Sequence, residues 1–196
     1  REVALWGHAP LASAYVLFDI LGYKNDEIAF HSRSGILTVT RENEWLVMDF
    51  PRQPPVSCEI PEEIIEAFHQ VPVECLKGKD YMVVFADEVD VESANPDMGR
   101  LLKLDSRGVI ITSRSTHFDF VSRFFAPKYG IPEDPVTGSA YTQLAPYWAS
   151  KMGKNRFHAK QLSSRGGELL CEIVEDRVLI YGKAVKYLEG VIIIKA

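Results

Sequence analysis

The chain has 196 residues, 46% hydrophobic and 25% charged, which is typical of a globular protein with one large or two small domains. Its net charge of -5 includes no basic block, so no nucleic-acid partner is expected. The longest apolar runs are too short to span a membrane and no signal-peptide pattern is present, so we expect a cytoplasmic protein. Three cysteines without CxxC spacing favour buried thiols over disulfides or a zinc site.

The predicted elements alternate between single helices and groups of strands. A helix begins at Gly7, and strands follow in FHSRSGILTV and EWLVMDF. The turn-rich segment PRQPP, residues 51–55, predicts a domain boundary. Beyond it we predict a helix near residues 61–70, the strand YMVVFA, a helix near residues 96–104, and the strands GVIITSR and HFDFVSRFF. This pattern is typical of an α+β fold.

The last third of the chain repeats the first. Fourteen residues separate Gly7 from Gly22, and fourteen separate Gly138 from Gly153. In both places a Ser/Arg/Gly turn between strands follows, so two copies of one unit lie 131 positions apart. The alternative is a coincidence between two helices that each end at a glycine.

From the repeat we predict two similar domains, residues 1–52 and 53–196, each with strands wrapped around one central helix. The final segment GVIIIKA is a candidate to return to the first domain's sheet. The strand HFDFVSRFFAP leads into the second copy, whereas only six residues precede Gly7. We therefore expect the first domain to be incomplete at its N-terminus. An unpaired sheet edge there would favour an alternative function, a non-catalytic module that pairs with another chain.

The stretch EDPVTGSA places acids and small residues directly before the second helix. Free backbone N–H groups at a helix start bind anions, and glycine lets a ligand approach the backbone. We therefore expect Thr137, Gly138 and Ser139 to bind a carboxylate, with Asp134 as a proton acceptor. The alternative is that Asp134 or Thr137 only caps the helix.

The matching turn of the first copy, Gly7 and His8, supplies an imidazole that can relay a proton. Two such turns facing each other suit proton transfer at a carbon next to a bound carboxylate. The remaining histidines lack HxH or HxxxH spacing, so a metal hydrolase is a weak alternative and no metal is expected. Ser139 lacks a G-x-S-x-G context, which disfavours a serine hydrolase.

The stretches EVALWGHAPLASAYVLF, FVSRFFAPKYGIPEDPVTGSA, SSRGGEL and GKAVKYLEG resemble the phenazine-biosynthesis PhzF-like family. The likeness is greatest to the subgroup that includes the mammalian phenazine-biosynthesis-like domain proteins. It implies a diaminopimelate-epimerase-like fold of two pseudo-symmetric domains with the active site between them.

The same resemblance implies an isomerase without metal or cofactor that acts on a small-molecule carboxylate. The family's histidine corresponds to His8, its aspartate to Asp134, and its anion contacts to Gly138 and Ser139. The family's principal acid/base glutamate lies upstream of any residue in this sequence, so reduced activity is expected of this form. A homodimer is compatible with the sequence, which does not determine the oligomeric state.

Overall fold

The computed structural model describes residues 7–32 and 35–192. In this part of the chain eleven strands form one sheet, in the order β1-β2-β3-β11-β10-β9-β8-β7-β6-β5-β4. The strands are β1 Glu27–Ser32, β2 Gly35–Glu42, β3 Trp45–Pro51, β4 Val56–Ser57, β5 Glu74–Lys77, β6 Tyr81–Val84, β7 Val109–Arg114, β8 Phe120–Phe125, β9 Arg156–Gln161, β10 Gly167–Val174 and β11 Arg177–Gly182.

Helices cover parts of this sheet and complete an α+β fold. The α-helices are α1 His8–Tyr15, α2 Glu62–Phe68, α3 Glu88–Ser93, α4 Met98–Leu101 and α5 Tyr141–Met152. A π-helical segment, Val16–Ile20, extends α1, and short 3-10 turns occupy Pro127–Tyr129 and Gly138–Ala140. Neighbouring strands run antiparallel except for the parallel pairs β6–β7 and β8–β9.

Both copies of the repeat contain a helix followed by three antiparallel strands, α1 with β1–β3 and α5 with β9–β11. The helical segments end at Gly22 and Gly153, which have φ angles of 65° and 66°. Such left-handed residues are the usual stop of a helix, and glycine adopts them without steric cost. The fold therefore contains the internal duplication that the glycine spacing predicts.

The two copies join where β3 pairs with β11. In this pairing Leu46 lies opposite Gly182, and Pro51 lies opposite Arg177. In the repeat, Gly182 corresponds to Pro51 and Arg177 corresponds to Leu46. Exchanging the copies reproduces the same pairing, so the junction has an approximate two-fold axis at its centre. This axis brings matching parts of the two copies together.

Helix α5 lies in the larger of two hydrophobic clusters. All eight residues from Tyr141 to Trp148 are buried. The Trp148 ring stacks on Phe120 of β8 at 5.6 Å between centroids, and its Nε1–H donates to Thr112 Oγ1 of β7 at 3.1 Å. The strands between the two copies therefore supply much of the surface that covers α5.

The second hydrophobic cluster lies between helices α2–α4 and the sheet and includes Ile64, Val91 and Leu101. Helix α3 was not predicted from the sequence; Asp87 and Asp90 form a capping box at its start. The helix predicted near residues 96–104 is shorter, because α4 covers only Met98–Leu101.

Two predictions about domain organisation are not decided by these elements. The boundary at residues 52/53 falls directly after β3, yet the sheet continues across it through β11. Residues 190–192 lie outside any strand, and residues 193–196 of the predicted final strand lie outside the described residues. The two-domain division and the return of that strand stay predictions.

The cysteines are free thiols: Cys75 and Cys171 are buried and Cys58 is half-buried. Burial, together with the hydrogen bond from Cys58 and the charge of that thiol, raises the pKa of Cys75 to about 12. Among the described helices, none is both long and apolar enough to cross a membrane.

Candidate active site

The starts of the two repeat helices meet near the two-fold axis. A Cβ atom placed on Gly7 would lie 3.7 Å from Gly138 Cα and 3.8 Å from Met48 Sδ, at the centre of β3. These are ordinary van der Waals distances, so the two helix starts lie next to each other and against β3. The matching turns therefore face each other across the junction of the two copies.

A cavity of about 590 Å³ opens at this meeting point, within the usual size range of small-molecule sites. Residues from both copies and from the strands between them line it: Gly7, His8, Arg107, Phe124, Ala126, Tyr129, Ile131, Asp134, Pro135, Val136, Thr137, Ser139, Arg165 and Gly166. A smaller cavity of about 450 Å³ shares Gly7 and His8 with it and reaches Gly138.

The structure thus brings five of the six predicted site residues to the lining of the larger cavity and places Gly138 in the adjoining one. His8 is the first residue of α1, and its side chain is exposed. Asp134 is half-buried, whereas Thr137 and Ser139 are each 6% exposed. The imidazole and the carboxylate come from opposite copies of the repeat.

Hydrogen bonds hold Asp134 and the turn that follows it. The backbone N–H of Asp134 donates to the Phe124 carbonyl at 3.0 Å, and the Thr137 hydroxyl donates to Asp134 Oδ2. The Thr137 side chain makes no cap hydrogen bond to the N–H groups of the helix start, and Asp134 accepts from the Thr137 hydroxyl rather than from those groups. Those N–H groups do not depend on Asp134 as a cap.

Gln161 lies at the end of β9, is 1% exposed and forms hydrogen bonds with the same turn. Its Oε1 accepts from the Thr137 N–H at 2.7 Å, and its Nε2 donates to the Asp134 carbonyl at 2.6 Å. A buried amide that satisfies both a donor and an acceptor of the backbone locks the turn in one conformation. Sequence reasoning missed Gln161, because an isolated glutamine in a strand carries no motif.

The hairpin turn after β9 packs against the same loop. The Ser163 hydroxyl donates to the Pro135 carbonyl at 2.7 Å, and a Cβ on Gly167 would lie 2.4 Å from Val136 Cγ2. Gly167 therefore lets the hairpin approach the loop closely. Arg165 of this turn is exposed and lines the cavity.

A buried ion pair between Arg107 and Asp80 also contacts the 137–139 turn. Arg107 donates through Nε to Asp80 Oδ1 at 2.9 Å and through Nη2 to Asp80 Oδ2. The same Nη2 donates to Ser139 Oγ at 3.2 Å. Sequence reasoning missed this pair too, because its members are 27 positions apart and belong to no repeat or motif.

Charges of both signs line the larger cavity. Asp134 is the acid among its lining residues, whereas Arg107 and Arg165 are both cationic. Burial lowers the pKa of Lys79, beside Asp80; the positive charge of Arg107 lowers it further, and Asp80 partly opposes this. The described residues contain no group of three or more His, Cys, Asp or Glu side chains arranged to hold a metal ion.

Comparison with known proteins identifies the family. Residues 1–190 match the family model described as phenazine biosynthesis-like protein, PhzC–PhzF. A Pseudomonas aeruginosa protein named as an uncharacterized isomerase is 48% identical over 189 residues, covering 96% of this chain and 73% of that protein. The phenazine biosynthesis-like domain-containing protein of Bos taurus is 37% identical over 211 residues, covering 97% of this chain and 73% of its own length.

Solved structures agree with this result. The crystal structure of a PhzF-family phenazine biosynthesis protein from Enterococcus faecalis superposes with a TM-score of 0.91 at 41% identity, covering 96% of this chain and 73% of that one. A hydroxyproline epimerase from Agrobacterium vitis shares the fold alone, with a TM-score of 0.52 at 8% identity, covering 90% of this chain and 62% of its own. The chain therefore belongs to the phenazine biosynthesis-like, PhzC–PhzF family and has the α+β fold that it shares with epimerases.

Proposed function

We propose that this protein is an isomerase that transfers a proton at a carbon next to the carboxylate of a small molecule, with its own side chains as acid and base. An isomerase-type function is supported by relatives that are named isomerases. The observation that carries the finer proposal is that His8 and Asp134, from the two different helix starts, line one cavity.

In this proposal Asp134 accepts the proton from the substrate carbon, and His8 donates a proton at the second position. Removing a proton next to a carboxylate moves negative charge onto the carboxylate oxygens. The backbone N–H groups of Gly138 and Ser139 and the Ser139 hydroxyl would stabilise that charge, and preorganised donors of this kind supply much of the catalytic effect in many enzymes. Gly7 and Gly138 keep the backbone of both helix starts accessible to the ligand.

The test is exchange of solvent deuterium into a panel of small carboxylates. Asp134→Asn should abolish exchange, because the amide cannot accept the proton. Ser139→Ala should mainly weaken binding, by roughly 1 to 3 kcal/mol, as for one lost hydrogen bond to a charged group.

Asp49→Asn is the control, since Asp49 pairs with Arg177 at the β3–β11 junction and does not line the cavity. Exchange that persists in Asp134→Asn, or that is absent for every acid from a chain that includes the upstream residues, would contradict the proposal. Each variant should be measured in the 196-residue chain and in a chain that includes any residues preceding Arg1 in its reading frame. Faster exchange in a longer chain would support the need for an upstream glutamate that the family resemblance implies.

A second candidate function, a module that binds another chain through a sheet edge, is favoured by the position of β1. Within the described residues β1 pairs only with β2, whereas its counterpart β9 pairs with both β10 and β8. In the helical region of the same copy, Val16, Ile20 and Leu21 are 41%, 49% and 68% exposed. Analytical ultracentrifugation tests this candidate together with a homodimer, with which the sequence is compatible, because a strictly monomeric species at high concentration would count against both.

A further inference from the structure

Arg107 lies before β7, with its guanidinium between a buried carboxylate and the cavity. The side chains of Arg107 and Asp80 are 13% and 0% exposed. Their two parallel hydrogen bonds, from Nε and Nη2 to the two carboxylate oxygens, fix the plane of the guanidinium. Arg107 therefore cannot rotate away from the cavity without leaving Asp80 buried and unpaired, which is strongly unfavourable.

The ion pair is oriented, with its positive end toward the cavity. Arg107 lines the cavity and Asp80 does not. On its far side Asp80 also accepts from Gln143 Nε2 at 3.4 Å. The carboxylate thus holds the arginine from within the protein, while a ligand in the cavity meets the cation first.

The contact with Ser139 restricts that residue's hydroxyl proton. Ser139 Oγ accepts from Arg107 Nη2 at 3.2 Å, and a guanidinium has no acceptor to offer in return. Among the described residues, no acceptor is seen for the Ser139 hydroxyl proton. Because Ser139 lines the cavity, its O–H is left to donate to a ligand there.

We propose that Arg107 is a specificity-determining positioning residue: it orients the Ser139 hydroxyl into the cavity and gives the 137–139 turn a preference for a carboxylate over a neutral carboxamide. This inference rests on the proposed function in so far as it concerns the same cavity. It adds the residue that discriminates between charged and neutral ligands.

Another arginine shows what a purely structural pair would look like. Arg123 makes a comparable two-bond contact with Glu133 and is 12% exposed. Its Nη1 donates to the carbonyls of Val91, Glu92 and Ala94, and it does not line the cavity. Arg123→Lys is therefore a matched control for the loss of a two-bond arginine pair.

The experiment compares benzoate and benzamide, two probes of nearly the same shape, by calorimetric titration of the unmodified protein, Arg107→Lys and Arg123→Lys. Lysine keeps the charge but cannot bond Asp80 and Ser139 in the same plane. We expect Arg107→Lys to weaken benzoate binding by roughly 10-fold or more, as for a lost hydrogen bond to a charged group, and to weaken benzamide binding less, because a neutral carbonyl accepts a weaker hydrogen bond from the same hydroxyl. Arg123→Lys should lower the melting temperature without changing the benzoate-to-benzamide ratio.

A second measurement separates positioning from a general structural effect. In a Ser139→Ala background, Arg107→Lys should weaken benzoate less than in the unmodified protein, since the hydroxyl that it orients is already absent. In the deuterium-exchange assay Arg107→Lys should raise KM for active acids more than it lowers kcat.

Three results would overturn the proposal: equal weakening of benzoate and benzamide, full additivity with Ser139→Ala, or no benzoate binding by the unmodified protein. A missing deuterium exchange would instead contradict the proposed function and leave the binding comparison valid.

Discussion

The two copies of the repeat have the same local structure but very different surroundings. In the second copy, α5 is buried from Tyr141 to Trp148, and β9 has a strand on each side. In the first copy, Ala14 is the buried residue of α1, Phe18 is that of the π-helical segment, and β1 forms an end of the described sheet. The difference teaches that the local pattern specifies each unit, whereas its stability depends on what packs against it.

The largest difference in stability is expected between substitutions of a buried leucine in the second copy and an exposed leucine in the first. Leu144 in α5 is 0% exposed, whereas Leu21 after the π-helical segment is 68% exposed. Leu144→Ala should lower the free energy of unfolding by about 2 to 5 kcal/mol, because it removes buried methyl groups and leaves a cavity. Leu21→Ala should change it by less than about 0.5 kcal/mol. Urea unfolding monitored by circular dichroism measures both, and equal losses would show that the two helices are equally packed in solution.

A smaller effect on stability is expected at a position where the second copy has a glycine and the first copy has a larger residue. Gly167 lies against Val136 of the site loop, whereas its counterpart in the repeat, Ile36, is 55% exposed. Gly167→Ala should destabilise the protein by about 1 to 3 kcal/mol through overpacking and should displace the loop that carries Asp134. The added Val136→Ala should restore much of the stability, as read from thermal unfolding. Failure of this rescue would mean that the contact does not limit the approach of the hairpin.

The smallest effect compares the two helix stops. Gly22 and Gly153 both have left-handed backbone angles, and an added Cβ at either would meet no atom within 4 Å. Gly22→Ala and Gly153→Ala should therefore each cost about 1 kcal/mol, from backbone strain alone. The urea midpoints of the two variants measure the cost of backbone strain without a cost of packing. A clearly larger loss of stability in Gly153→Ala would show that the burial of α5 adds to the effect of its terminal glycine.

Much of the site could be anticipated because its residues occur at marked positions of the sequence. The turns around His8 and Asp134 each precede a helix, and the repeat relates them, so a two-fold arrangement was expected to bring them together. The roles of these residues stay predictions until the exchange assay is done. Gln161 and Arg107 could not be anticipated, because their importance comes from contacts with residues 24 and 32 positions away.

By itself, the sequence determined the family, through the resemblance of its motifs. It also determined the α+β class, the internal repeat and the glycine stops of its helices, because these follow from short-range pattern and backbone sterics. Only the tertiary structure decided that β3 and β11 pair across a two-fold axis, that α5 is buried while α1 is largely exposed, and that Asp80 holds Arg107 against Ser139. These features depend on packing between segments far apart in the chain. No local pattern encodes them, since the free energy that selects them comes from burial and pairing in the assembled sheet.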